Sequence, residues 1–236
     1  SAMQRSSLEF AASRAARLYP VYWFCVTLTA LVFLLVEHKL EVVNMVGYLL
    51  NLTMLNTFLR VDSIDGVYWT LAKEIQFYFC VFVLMCFGLL KHIKVWIGGW
   101  LICTAIYLAF KQPFFMGWFI SPEYSAFFIA GICCYMIYQS ESVRYFSGCL
   151  VAATVLACYS IYRESAGFLP DSTETNQIVS AIIVAAMVLV FWAVSARKIG
   201  LKGSKLLITL GALTYPLYLL HNELGKILLE RFEGTF

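Results

Sequence analysis

Charged side chains are scarce in this chain of 236 residues. Asp, Glu, Lys and Arg make up 13% of it, whereas they make up about 25% of a typical soluble domain. Hydrophobic residues reach 61%, compared with about 45–50% in a soluble domain. The composition therefore excludes an ordinary soluble fold. The formal net charge is only +3, and nothing in the sequence indicates binding of nucleic acid.

Eight stretches of the chain contain no charged residue at all. Each is 16–22 residues long, and about 20 helical residues span the roughly 30 Å hydrocarbon core of a bilayer. A soluble domain of this size could not bury so many helices of that length. We therefore predict an all-α polytopic membrane protein. The stretches are 18–36, 42–59, 75–90, 95–110, 124–140, 145–162, 175–196 and 206–222.

Signals for a metal or a bound cofactor are lacking. The eight cysteines lie in apolar stretches without the spacing of metal ligands, and Cys133 is directly followed by Cys134. A buried cysteine behaves as a small hydrophobic residue. We interpret all eight as packing residues and expect neither a metal site nor a bound cofactor.

The sequence also lacks a linker, a low-complexity tract and a leading apolar signal peptide. Ser1 and Ala2, which precede Met3, are typical of the remnant of a cleaved tag. We therefore interpret residues 3–236 as a single membrane-embedded domain.

Basic residues indicate how the chain is oriented. They concentrate in three clusters, and the positive-inside rule places such clusters on the cytoplasmic side. The acidic stretch with Glu164, Asp171 and Glu174 is expected outside. The clusters are Arg5, Arg14 and Arg17; Lys91 and Lys94; and Arg197, Lys198, Lys202 and Lys205.

Eight simple crossings cannot satisfy this charge pattern, because Lys91 and Lys94 would then lie outside. The segment 42–59 is the richest in Asn and Thr, and we interpret it as a re-entrant or interior helical segment. About seven transmembrane helices remain. They are predicted at 18–36, 68–90, 95–110, 122–140, 145–162, 175–196 and 206–229.

Glu74 directly precedes the apolar stretch 75–90. A carboxylate at the edge of hydrocarbon is costly unless it is paired, so it marks a candidate functional site. Thr70 and Tyr78 lie four residues away on either side, where either hydroxyl could bond the carboxylate. The alternative is that Glu74 pairs with an arginine and locks two helices together.

His221 is the only histidine within an apolar stretch, in a predicted helix that Pro216 should kink. An imidazole exchanges a proton near neutral pH, so it suits a general base or a proton relay. The alternative is a buried imidazole that makes one structural hydrogen bond.

Arg14 and Arg17 lie one helical turn apart, just before Tyr19 and Pro20. Paired guanidinium groups match the oxygens of phosphate. The alternative is that both arginines only anchor the cytoplasmic end of a membrane helix.

Four segments resemble motifs of the acyltransferase-3 family, integral membrane enzymes that O-acylate cell-surface sugars. Gly66–Tyr78 contains Trp-Thr-Leu-x-x-Glu-x-x-Phe-Tyr, which is similar to the family signature. Thr214–His221 is similar to its terminal motif. Two weaker similarities are Phe10–Pro20, which resembles its arginine motif, and Phe127–Gly131, in which the glycine would permit close helix approach.

The resemblance implies an enzyme of the bacterial inner membrane that takes an acyl group, most often acetyl, from acyl-CoA. The acceptor would be a hydroxyl of a glycan or lipid-linked sugar. Glu74 and His221 would be catalytic, and Arg14 and Arg17 would bind the donor. The path of the substrate is expected to be lined by Trp69, Thr70, Tyr78, Tyr218 and Asn51.

Family members usually carry two further helices at the start, with an arginine and a catalytic histidine, and one more at the end. This sequence has neither, so we expect a partial domain whose own activity is open. Two other classes also remain open. A transporter or flippase would use Glu74 and His221 as a proton relay, and a scaffold would be catalytically silent.

Overall fold

The computed structural model describes residues 6–36, 44–110, 121–168, 174–200, 203 and 205–233. Six residues that entered the tag and charge patterns lie outside these ranges: Ser1, Ala2, Met3, Arg5, Asp171 and Lys202. Every regular element within them is helical. The α-helices are α1 Ser7–Leu35, α2 Met45–Leu52, α3 Trp69–Cys86, α4 Ile93–Phe110, α5 Pro122–Tyr138, α6 Val143–Phe168, α7 Glu174–Ser195, α8 Lys205–Leu220 and α9 Glu223–Glu233. Short 3₁₀ turns cover Asn56–Leu59, Gly66–Tyr68 and Leu89–His92.

Five helical segments of the described chain are long and apolar enough to cross a membrane. They are Ser7–Leu35, Gly66–Cys86, Leu89–Phe110, Val143–Arg163 and Glu174–Ser195. The helix α8 is apolar but has only 16 residues, and α5, with 17 residues, occupies the predicted crossing 122–140. The prediction of an all-α polytopic membrane protein is therefore confirmed.

The segment 42–59 does not form a crossing helix. Its helix α2 has eight residues, or about 12 Å, which is too short for the hydrocarbon core. Three α1 side chains donate hydrogen bonds to carbonyls at its end: Tyr22 to Asn51 at 2.8 Å, Trp23 to Leu52 at 2.9 Å and Tyr19 to Thr53 at 2.8 Å. The segment is therefore fixed to α1.

The last predicted crossing, 206–229, is broken in the structure. The helix α8 runs through Pro216 and ends at Leu220, and α9 begins at Glu223 after a two-residue turn. The expected continuous helix is therefore wrong beyond Leu220. At the start of α9, the backbone N–H of Glu223 donates a hydrogen bond to the Asp65 carboxylate. This bond fixes the position of the break.

The described residues form two compact units. The first combines residues 1–86 with 203–236, and the second comprises 87–202. In the first unit α1 packs against α3 and α8 around a core that includes Tyr22, Val26 and Leu219. In the second unit α4, α5, α6 and α7 pack together. Its core includes Ile97, Ile129, Cys133, Phe146 and Ala153.

The cysteines fit their predicted role in packing only in part, because Cys86 is exposed. All eight are free thiols, and Cys25, Cys133 and Cys149 are buried in the two cores. Gly131 does not fit its prediction, because a side chain added there would meet no atom within 4 Å. This glycine is exposed on α5, so the expected close helix approach is absent at that position.

Candidate functional site

Three polar side chains form a stripe along one face of α3. Thr70, Glu74 and Tyr78 follow one another at intervals of four residues, so they lie one above the other on the helix. The stripe is about 12 Å long. The helical segment starts at Gly66, where the Asp65 side chain accepts a hydrogen bond from the Val67 backbone N–H at 3.1 Å.

Glu74 has a hydroxyl partner on its own helix. The Tyr78 hydroxyl donates a hydrogen bond to Glu74 Oε1. Of the two hydroxyls that the spacing allowed, Tyr78 is therefore the one that bonds the carboxylate. Both side chains are half-buried. The Thr70 hydroxyl instead contacts the Val67 carbonyl oxygen at 3.1 Å.

Arg14 lies against this tyrosine. Its guanidinium is 5.3 Å from the centre of the Tyr78 ring and 5.3 Å from that of Phe10, and the two rings meet edge to face at 6.0 Å. Such contacts between a cation and aromatic faces are attractive. Within the described part of the chain, the buried Arg14 Nε has no hydrogen-bond partner. The structure thus joins Arg14 to Glu74 through Tyr78 rather than by an ion pair.

An apolar groove of about 250 Å³ opens beside Arg14, between α1 and α3. Arg14 contacts the middle of α3, where Tyr78 is the tenth of 18 residues. Arg17 is exposed one turn further along α1. The apolar lining of the groove includes Phe10, Ala11, Ala15, Leu18, Ile75, Phe79 and Phe82.

His221 is exposed in the turn between α8 and α9, so the expected place inside an apolar helix is wrong. Its Nδ1 lies 2.7 Å from the Tyr218 carbonyl oxygen. Because a carbonyl oxygen only accepts hydrogen bonds, Nδ1 carries the proton and Nε2 of the neutral ring keeps a lone pair. The imidazole can therefore accept a proton at Nε2.

Tyr218 connects this turn to the stripe. Its hydroxyl is 2.8 Å from Thr70 Oγ1 and 3.4 Å from the Val67 carbonyl oxygen, and its ring lies 5.6 Å from the His221 ring. The α3 stripe thus meets Arg14 at its Tyr78 end and the turn that carries His221 at its Thr70 end. Both predicted catalytic residues and one predicted donor-binding residue belong to this arrangement.

Two predicted path residues have different surroundings. The Asn51 amide group is fully engaged with backbone: it donates to the carbonyls of Gly47 at 2.9 Å and Asp62 at 3.0 Å and accepts from Ile64 N–H at 3.1 Å. These bonds fix the loop that follows α2. Trp69, at the start of α3, is 38% exposed.

Two residues beside the motifs were missed from the sequence. Asp65 and Asn222 are joined by a hydrogen bond of 2.9 Å between Asn222 Nδ2 and Asp65 Oδ1. Each stands next to a segment that was singled out: Asp65 precedes Gly66, and Asn222 follows His221. The Asp65-Gly66 pair is a turn signal, but it does not reveal the partner.

Comparison with known proteins identifies the family. No curated protein and no solved structure matches the chain. A family model for the acyltransferase-3 type, described as an acyltransferase domain, matches residues 3–232. The match includes both ends of the arrangement, Arg14 and His221. The chain therefore belongs to the acyltransferase-3 family of membrane acyltransferases.

Proposed function

We propose that the protein transfers an acyl group, most simply acetyl, from a cytoplasmic acyl-CoA-type donor to a hydroxyl of a cell-surface glycan or lipid-linked sugar, in a bacterial inner membrane. Membership of the family supports an acyltransferase in general. The single observation that carries the proposal is the α3 stripe. At its Tyr78 end the Glu74 carboxylate accepts from the Tyr78 hydroxyl and the Arg14 cation lies against the Tyr78 ring. At its Thr70 end the Thr70 hydroxyl bonds Tyr218, whose ring lies beside the His221 imidazole.

The donor is assigned to the Tyr78 end of the stripe. Arg14 has a buried N–H without a hydrogen-bond partner in the described chain, and Arg17 is exposed one turn away. A guanidinium group can bind a phosphate through two parallel N–H···O bonds, and coenzyme A carries phosphates. The apolar groove beside Arg14 would take an uncharged part of the donor that lies between its phosphates and its thioester.

The transfer step is assigned to the His221 end of the stripe. His221 Nε2 removes the proton from the acceptor hydroxyl, whose oxygen then attacks the thioester carbonyl carbon. The Tyr218 hydroxyl, which lies 2.8 Å from Thr70 Oγ1, would turn from Thr70 to donate a hydrogen bond to the oxyanion that develops. Collapse breaks the carbon–sulfur bond, and the imidazolium returns the proton to the departing thiolate.

The remaining predicted residues support this step. Glu74 holds the Tyr78 hydroxyl and places a negative charge near Arg14. Trp69, with its exposed ring, is assigned to the acceptor path. Asn51 shapes the loop beside that path through its three backbone bonds.

Reconstitution tests the proposal. Proteoliposomes that contain the full chain receive radiolabelled acetyl-CoA on one side and a glycan acceptor on the other. Labelled glycan is the expected result. Movement of glycan across the bilayer without label would favour a transporter or flippase, and the absence of both activities would favour a silent scaffold.

A further inference from the structure

The turn that carries His221 is held on both sides by the segment 65–70. Before the histidine, Tyr218 bonds Thr70 at 2.8 Å, and its carbonyl oxygen contacts His221 Nδ1 at 2.7 Å. After the histidine, Asn222 Nδ2 donates to Asp65 Oδ1 at 2.9 Å, and the Glu223 backbone N–H donates to Asp65 Oδ2 at 3.3 Å.

Asp65 is fully buried, with 0% of its surface exposed. Its carboxylate accepts three hydrogen bonds, from Val67 N–H at 3.1 Å in addition to those from Asn222 and Glu223. It therefore caps two helical segments at once, the one that begins at Gly66 and α9. A buried carboxylate is tolerated only when it is well bonded, and helix starts favour negative charge. Separating the two segments would leave the carboxylate short of donors.

Asn222 uses both N–H bonds of its side-chain amide. In addition to Asp65, it donates to Glu223 Oε1 at 2.9 Å. That carboxylate also accepts from Lys226 Nζ at 3.0 Å. Rotation of the Asn222 side chain would break both amide bonds, so the backbone directly after His221 has a fixed position.

We infer that Asp65 and Asn222 are positioning residues for His221. By fixing the turn between α8 and α9, they keep His221 Nδ1 on the Tyr218 carbonyl and leave Nε2 as the proton acceptor. They do not touch the reacting atoms. The inference rests on the proposed function insofar as it makes Nε2 the base of acyl transfer, but the state of the ring can be measured without any substrate.

The first test measures the tautomer of His221. Asp65→Asn keeps the shape of the side chain but replaces one acceptor oxygen with an NH₂ group, which faces either the Glu223 N–H or the donors of Val67 and Asn222. In the full-length protein, labelled with ¹⁵N-histidine and placed in lipid nanodiscs, we expect wild-type His221 to be protonated at Nδ1. Asp65→Asn should give a mixture of tautomers, because the ring loses its fixed contact with Tyr218.

The chain offers matched controls for this measurement. Asp62→Asn makes the same chemical change on an exposed side chain in the same loop and should leave the His221 signal unchanged. His38 and His92 report on the sample as a whole. Asn222→Ala removes the bond to Asp65 but leaves the bond from Val67 N–H to Asp65 in place. This variant therefore replaces Asp65→Asn in the test if Asp65→Asn does not fold.

The second test measures acyl transfer. Both variants should lower kcat at least 10-fold, because small displacements of a catalytic group are costly, whereas the KM for the donor should stay unchanged since the donor is assigned to the Arg14 end. The double variant Asp65→Asn with Asn222→Asp restores one donor–acceptor pair in reverse and should recover part of kcat.

The outcomes separate the inference from the proposed function. A single unchanged tautomer in both variants, or a loss of folded protein with unchanged kcat per folded molecule, would overturn the positioning role. If the tautomer changes in the variants while the wild-type protein shows no acyl transfer, the positioning role is supported and the proposed function is contradicted.

Discussion

At the scale of single residues, Glu74 is held by a hydroxyl rather than by a cation. Glu74→Gln keeps an oxygen that can accept from Tyr78 but removes the charge. If the charge serves catalysis, acyl transfer should fall at least about 100-fold, the usual scale for acid–base groups, while the melting temperature changes little. Activity assays and thermal unfolding of the same preparation provide the measurement.

The control for Glu74 is Tyr78→Phe. This variant keeps the ring that Arg14 contacts and removes only the hydroxyl, so the carboxylate loses its hydrogen bond and stability should fall by about 1–3 kcal/mol. Full activity in Glu74→Gln together with a large loss of stability would show that Glu74 is structural rather than catalytic.

Arg14 and Arg17 can be told apart by their surroundings. Lysine keeps the charge but loses the planar, bidentate group, so either Lys variant should weaken acyl-CoA binding by about 1–2 kcal/mol, on the scale of one hydrogen bond to a charged group. Only Arg14→Lys should also reduce stability, by about 0.5–2 kcal/mol, because within the described part of the chain Arg14 contacts aromatic rings and Arg17 does not. Calorimetry measures the binding. Unchanged affinity in both variants would leave the two arginines as membrane anchors.

The residue pairs also show what a single sequence can predict. The bond between Glu74 and Tyr78 could be predicted because both lie on one helix at a spacing of four. The bond between Asp65 and Asn222 spans 157 positions, and packing rather than periodicity brings these residues together. The exposed position of His221 was missed for the same reason.

At the scale of helices, α4 contains a matched pair of glycines. A methyl group added at Gly98 would lie 3.1 Å from the Tyr145 hydroxyl, whereas one added at Gly99 would meet nothing within 4 Å. The Tyr145 hydroxyl donates a hydrogen bond of 2.6 Å to the Lys94 carbonyl oxygen, so Gly98→Ala requires this hydroxyl, which joins α6 to α4, to shift by a few tenths of an ångström.

Both alanine variants gain the same helix propensity, about 1 kcal/mol in a helix interior. Gly99→Ala should therefore be at least as stable as the wild type. Gly98→Ala should be less stable than Gly99→Ala by about 1 kcal/mol, the scale of one hydrogen bond. Thermal unfolding in detergent compares the two, and equal stability would show that Tyr145 moves aside without loss.

Helix ends were predicted less well than helix positions. Apolar composition located the helices, but the prediction extended the last one beyond the uncharged stretch 206–222 to residue 229. The break at 221–222 depends on the bond from Glu223 N–H to Asp65, which no local pattern contains. The short helix α2 was predicted better, because charge parity excluded a crossing between residues 42 and 59.

At the scale of the whole molecule, the first of the two units is built from two segments that are far apart along the chain. Residues 203–236 belong with residues 1–86, although 116 residues separate the two segments along the chain. The core residue Leu219 contributes to the first unit together with Tyr22 and Tyr68. Composition is apolar throughout, so no change in the sequence marks the boundary at Phe87. The division could therefore not be predicted from the sequence.

The orientation of the chain in the bilayer gives the last prediction. Lys91 lies in the 3₁₀ turn before α4, Lys94 lies in the first turn of α4, and Arg197 and Lys198 follow the end of α7. Because basic loops stay on the cytoplasmic side, we expect both positions inside, and Glu174 at the start of α7 outside.

Single cysteines at 94, 198 and 174, in a cysteine-free background, can be labelled with an impermeant maleimide on intact cells. Only position 174 should react before the membrane is opened, and positions 94 and 198 should react afterwards, which controls for buried sites. Because α4, α5, α6 and α7 form an even number of helices between residues 94 and 198, labels on opposite sides at these two positions would contradict four crossings in this unit. A reactive external label at 94 alone would overturn the seven-crossing topology.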